Sequence, residues 1–275
     1  LSKRLRQRRL IGVDFSSRPS SAKPIVVAVG HCAQAEVAVG GMIRFMSLSA
    51  FGQWLARPQP WLGGFDFPFG LPRELVQHLG WPTDWLACMR HYSSLTRAQI
   101  RTTFAAFCAA RPAGAKFAHR ACDRPAGSSP SMKWVNPPVA YMLHAGVPLL
   151  LDAGVSIVAH RHAGDAGRIA LEAYPGLLAR ELIGVRSYKS DERAKQTGER
   201  WLARVAIVDA LEHGATRLAL RLAIDDAMRA TLIEDASGDS LDAVLCLLQA
   251  AWCSTRPQFG LPHAVDPLEG WIASA

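Results

Sequence analysis

A chain of 275 residues, 49% hydrophobic and 20% charged, is long enough for one large domain and too apolar for a disordered one. Its 31 basic and 23 acidic residues leave a net charge of +8, which suits nucleic acid or another polyanion as partner without establishing one. No apolar run reaches the roughly 20 residues that cross a bilayer, and the basic stretch 1–9 has no apolar run behind it, so neither a membrane span nor a signal peptide is expected.

The stretch 1–9 reads as a frayed, solvated lead-in or a phosphate-contacting tail. Leu10-Ile-Gly-Val-Asp14-Phe15 is a short apolar run ending in an acid, the pattern of a buried strand with a carboxylate at its end. Residues 16–23 are turn chemistry, and 24–29 and 36–39 read as second and third strands, the third continuing past Gly40-Gly41 to 45. A short helix is expected over 49–56, then a fourth strand from Trp61 that breaks at Pro68, two residues after Asp66. Residues 71–165 form a helical and loop insertion, with helices over 73–79, 83–91 and 97–110. A long basic, Pro/Ser-rich loop follows over 116–138, and Pro137-Pro138 introduces a further helix. A fifth strand, 168–175, carries Glu172, and helices follow over 176–183, 191–213 and 218–231. The last is the apolar, Gly- and Pro-free segment 239–252. Three strands close enough to pair as hairpins, followed by strands separated by helices, predict an α/β fold with a mixed sheet in a single domain. Six scattered cysteines with no CxxC pair predict a reducing, cytoplasmic setting without structural zinc or disulfides.

Asp239 and Asp242 are three apart and share one face of the last helix. By themselves they read as an N-cap and a dipole-complementing acid, with Asp239 or Ser240 as the cap. Asp14, Asp66 and Glu172 alter that reading, because each closes an apolar strand, and strand ends in an open α/β sheet face a common crevice. Carboxylates gathered there repel one another, and Mg²⁺ or Mn²⁺ is the usual remedy, a hard ion that takes oxygen ligands and leaves room for a phosphate. A pair of such ions activates water and stabilises the leaving oxygen of a phosphodiester. Lys189, just ahead of a helix start, is a candidate phosphate contact. Lys23, after a Ser-rich turn, is either a second one or a solvated turn lysine, and Ser16 in the same loop is grouped with it for substrate binding. Arg120, Arg124 and Lys133, interleaved with Trp134, read as a nucleic-acid face or as a mobile basic loop. Ser16, Ser17 and Cys122 have no identifiable base beside them, which argues against covalent catalysis.

Gly12-Val-Asp14-Phe-Ser-Ser, Phe65-Asp66-Phe-Pro-Phe-Gly-Leu-Pro72, Glu172-Ala-Tyr-Pro175 and Asp239-Ser-Leu-Asp242-Ala resemble, in this order, the ribonuclease-H-like superfamily. More narrowly they resemble the domain-of-unknown-function 429 family of predicted nucleases, as do Tyr188-Lys189, Arg120-Ala-Cys-Asp123-Arg124 and Glu269-Gly-Trp-Ile272. The resemblance implies a five-stranded mixed sheet flanked by helices, with Asp14 on the central first strand, Asp66 on the fourth, and Asp239 and Asp242 on the last helix. That layout is similar to the acid set of Holliday-junction resolvases, in which a residue at the place of Glu172 has no fixed counterpart. The expected activity is a Mg²⁺- or Mn²⁺-dependent nuclease with Asp14, Asp66, Asp239 and Asp242 as metal ligands. The alternatives are an actin-like nucleotide-binding ATPase or phosphotransferase, which would need a homodimer to supply its second copy of the fold, and a catalytically silent nucleic-acid-binding module. DNA, RNA and a small phosphorylated substrate remain open, as does the oligomeric state.

Overall fold

A computed structural model describes residues 9–163 and 167–275, so all of the basic lead-in 1–9 but Arg9, which opens the first strand, lies outside the described residues. The chain folds around a mixed seven-stranded sheet, ordered β5-β6-β4-β1-β2-β3-β7. These strands are β1 (Arg9–Asp14), β2 (Ile25–Ala33), β3 (Glu36–Phe45), β4 (Trp61–Phe65), β5 (Ser156–Ile157), β6 (Arg168–Glu172) and β7 (Arg221–Ala223). β1, β2 and β3 form an antiparallel meander, while β4 and β6 add in parallel on the other side of β1.

The sheet separates two apolar layers, as the two-residue period of each strand demands. On one face Ile11, Val13, Val27 and Phe65 pack with α1 (Leu48–Leu55), α2 (Arg73–His78), α3 (Trp85–Ser94), α4 (Arg97–Ala109) and α6 (Val139–Asp152), through Phe51, Leu75, Tyr92, Phe104 and Leu143. On the other, Leu10, Val26, Leu62 and Leu171 meet α7 (Pro175–Ile183), α8 (Gly198–Glu212), α9 (Asp226–Glu234) and α10 (Asp239–Ser254). The helices between β4 and β6 thus form one covering layer of the sheet. Glu269, near the chain's end, fastens them by accepting hydrogen bonds from the backbone N–H groups of Arg73 at 2.8 Å and Ala121 at 2.9 Å.

Five expected strands become seven because both edges carry short additions. β5 pairs with β6, and β7 pairs with the outer side of β3, inside the span 218–231 read from sequence as helix. Arg221-Leu-Ala223 is too short to display a period. It is strand because it supplies hydrogen-bond partners to an otherwise open edge, and the helix begins only at Asp226, capped by Asp225 accepting from the Met228 N–H at 2.7 Å. The helix expected over 191–213 is divided: a 3₁₀ turn, Arg193–Lys195, precedes α8. The long loop 116–138 holds the short helix α5 (Asp123–Ala126).

α10 is apolar nearly all round and is buried over fifteen of its sixteen residues, lying flat on β1, β2 and β4. Two glycines permit this approach. A Cβ at Gly12 would stand 2.0 Å from the carbonyl oxygen of Ala243, and one at Gly64 would stand 2.4 Å from that of Cys246. Gly12→Ala should therefore push α10 off the sheet, at a cost of about 3 kcal/mol or more. A denaturant midpoint equal to wild type would refute the close packing.

Candidate metal centre

Gly12 of β1 stands opposite Gly64 of β4, and the pairing runs on past both strands, with the Asp66 N–H donating to the Val13 carbonyl at 2.9 Å. Two residues further along each strand, on the face that carries α10, stand Asp14 and Asp66. The close seat of α10 on the two glycines brings its first turn over both, and Asp242 completes the group. One carboxylate oxygen from each of Asp14, Asp66 and Asp242 lies within 4.8 Å of the others. Asp14 is 7% exposed, Asp242 is fully buried and Asp66 is half-buried at the mouth.

Partners are unevenly shared. Tyr188 donates its hydroxyl to Asp242 Oδ1 at 2.5 Å, and the Lys189 ammonium pairs with Oδ2 of the same residue. Among the described residues none donates a hydrogen bond to the carboxylate of Asp14 or Asp66. Burial first, then the charges of Asp242 and Asp239, hold the Asp14 carboxyl well above its usual range. Burial and Asp242 push Asp66 up to about 7. Desolvation works against the Lys189 charge, but Asp242 leads the attractions that outweigh it and keep the ammonium protonated. Three carboxylates thus meet with two of them lacking donors, and hard oxygen atoms in such a set fit a divalent cation.

Asp239, the other acid of the helix start, is turned to Lys23, whose ammonium bridges it at 2.6 Å and Asp191 at 2.7 Å. Asp239 influences Asp14 through its field but is not one of the three clustered carboxylates. Nor does it cap α10. Gly238 takes the cap position with φ +75°, and Asp235 does the capping work, accepting from the Ser240 N–H at 2.9 Å and the Ser237 hydroxyl at 2.6 Å. Burial would raise Asp235, but these bonds from Ser237 and Ser240 hold it below the usual carboxylate value.

Glu172 does not join the cluster, and register explains why. β6 pairs with β4 so that Leu171 stands opposite Gly64, and the residue level with Asp14 and Asp66 on the α10 face is Ala173, not Glu172. Glu172 lies on the opposite face of the sheet, where the Arg120 fork donates to its two oxygens at 2.6 and 2.7 Å and the Phe69 N–H at 2.9 Å. Arg120 also donates to Asp123 at 2.9 and 3.1 Å and is only 2% exposed. The expected nucleic-acid role of Arg120 is corrected accordingly: its guanidinium is directed inward, at the buried acids Glu172 and Asp123 and at the Glu269 carbonyl. Arg124 is exposed on α5, Lys133 is half-buried, and Trp134 packs against Phe117 with ring centres 5.7 Å apart. Ser16 is half-buried, its hydroxyl accepting from the Arg18 N–H at 3.3 Å.

Tyr188 is the residue at this centre to which sequence reasoning assigned no role. Its one signal was adjacency to Lys189. A groove of about 470 Å³ opens over Asp14 and Asp66, walled by Lys23, Val139, Tyr174, Arg180, Arg186 and Lys189. All six cysteines are free, and among the described residues no helix is long and apolar enough to cross a membrane. Comparison of the chain with protein-family models, with curated proteins and with solved structures gives no match, so the case for its chemistry is made by the geometry of this centre.

Proposed function

We propose that this protein is a metal-dependent nuclease, in which Asp14, Asp66 and Asp242 hold Mg²⁺ or Mn²⁺ at the floor of the groove. The observation that carries the reading is the pair of donor-less carboxylates, Asp14 and Asp66, set beside Asp242 within ligand distance. Their position on two adjacent parallel strands at the middle of the sheet supports the ribonuclease-H-like resemblance. A divalent cation in such a set supplies Lewis-acid activation of water and neutralises charge on a phosphodiester. The chain's own groups do the rest. Tyr188 fixes the Asp242 carboxylate in orientation through Oδ1, and Lys189 is the cation closest to the acids, placed to face a substrate phosphate. Lys23 shapes the rim, and its ammonium is held by two acids, Asp191 and Asp239, where Lys189 is held by one, which weighs against a nucleotide-phosphate role for that turn.

The test uses the full chain with Mn²⁺ or Mg²⁺ against single- and double-stranded DNA and RNA, beside Asp14→Asn and Asp66→Asn. Cleavage is expected only with the cation, and each variant should lose roughly 10²-fold or more in rate while keeping its circular dichroism spectrum. Absence of cleavage of every substrate, together with no calorimetric difference in Mn²⁺ binding between wild type and variants, would refute the proposal.

A further inference from the structure

The loop that leaves β1 passes from Asp14 through Ser16, Ser17 and Arg18 and meets the first turns of α4. Ser16, Ser17, Arg18, Arg97, Arg101 and Tyr141 line a shallow groove there, and no acid contributes to its lining. Arg97 is held in place on three sides. Its guanidinium donates to the Ser17 carbonyl at 2.8 Å and lies 4.9 Å from the centre of the Tyr141 ring, whose hydroxyl in turn donates to the Arg97 carbonyl at 3.3 Å.

Elsewhere on the surface, Arg111 pairs with Glu74, Arg217 with Glu181, and Arg229 with Asp209 and Glu212. Among the described residues no carboxylate pairs with Arg18, Arg97 or Arg101. Burial first, then the positive charge of Arg18, keep Arg97 below the usual arginine pKa. An ordered guanidinium that shares a groove with two exposed ones is suited to an anion with several oxygens. The position of the groove is as informative as its charge. Ser17 is three residues past Asp14, a span of at most about 11 Å, so the groove lies beside the metal centre on the same loop.

We infer that the groove formed by Arg18, Arg97 and Arg101 binds the phosphate backbone of a nucleic-acid strand that runs past the acids of the metal centre. The charge of the groove is carried by arginines, so binding there should depend on salt more than on base sequence. The placement of the strand relative to a cleavage point rests on the nuclease reading, whereas the phosphate-binding groove itself does not.

The experiment compares the wild-type chain with an Arg18→Ala/Arg101→Ala double variant. Both side chains are exposed and make no hydrogen bond to a described residue, so the fold should be kept. Fluorescence anisotropy with a labelled single-stranded oligonucleotide is recorded in EDTA, where metal-dependent cleavage is off, over a range of salt. The double variant should bind about tenfold more weakly or worse, with a salt slope shallower by about 1.4, the loss of two single-strand phosphate contacts. Equal affinity and slope in the two proteins, or no binding by wild type even at low salt, would overturn the groove. Weakened binding by the double variant, with no wild-type cleavage of any substrate and no calorimetric loss of Mn²⁺ in Asp14→Asn or Asp66→Asn, would uphold the groove and remove the nuclease reading. Cleavage by wild type with unaltered binding in the double variant would do the reverse.

Discussion

The metal-free protein should melt at a lower temperature at pH 8 than at pH 5.5, and Mn²⁺ added at pH 8 should recover the difference. Asp66 ionises at about 7 in the folded protein against 3.8 ordinarily, because burial and the Asp242 charge oppose its ionisation. Between those values the folded state binds more protons than the unfolded one, so stability falls as pH rises through the interval. From pH 5.5 to pH 8 that single group accounts for about 2 kcal/mol, or on the order of 5 °C in a chain of this size. Asp14 is raised by the same causes and adds in the same direction. A cation at a hundred times its dissociation constant stabilises by about 2.7 kcal/mol, enough to reverse the order. Asp66→Asn is the control: an amide mimics the neutral carboxyl, so this variant should be more stable than wild type at pH 8, flatter across the range and less responsive to Mn²⁺. Parallel pH profiles for the two proteins would show that Asp66 is not the group responsible.

Replacing Arg120 should be the most damaging single change away from the metal centre. Arg120→Met leaves Glu172 and Asp123, 5% and 0% exposed, without the guanidinium that joins them, and breaking a buried pair from one side costs about 3–5 kcal/mol. Arg120→Lys should recover little, since one ammonium cannot reproduce a fork that reaches both oxygens of Glu172 and also Asp123. Mn²⁺ affinity separates this network from the metal centre. Glu172→Gln should bind Mn²⁺ as wild type does, because Glu172 occupies the other face of the sheet. A calorimetric titration in which Glu172→Gln loses the ion would return Glu172 to the ligand set and refute the register argument.

Several features of the centre could be read along the chain. An apolar run closing on Asp14, another closing on Asp66 before Pro68, and a buried helix opening on Asp239 and Asp242 are local patterns, and local patterns declare element type and period. What they cannot declare is which face a residue occupies once strands are in register, since a shift of one position exchanges the faces. That is why Glu172 looked equivalent to Asp66 and is not: Leu171, not Glu172, stands opposite Gly64. The same holds for partners distant in sequence. Arg120 meets Glu172 across 52 positions and Lys23 meets Asp239 across 216, encounters produced by sheet order and by no nearby signal. β7 is strand because the edge of β3 has bonds to satisfy, and Asp235 caps α10 because the preceding turn folds it back. The sequence by itself therefore determined the α/β character and a set of five candidate acids that contains the clustered three. Only the tertiary structure decided which three share a point in space, because that choice belongs to register and to the glycine-permitted approach of α10, which involve residues from opposite ends of the chain.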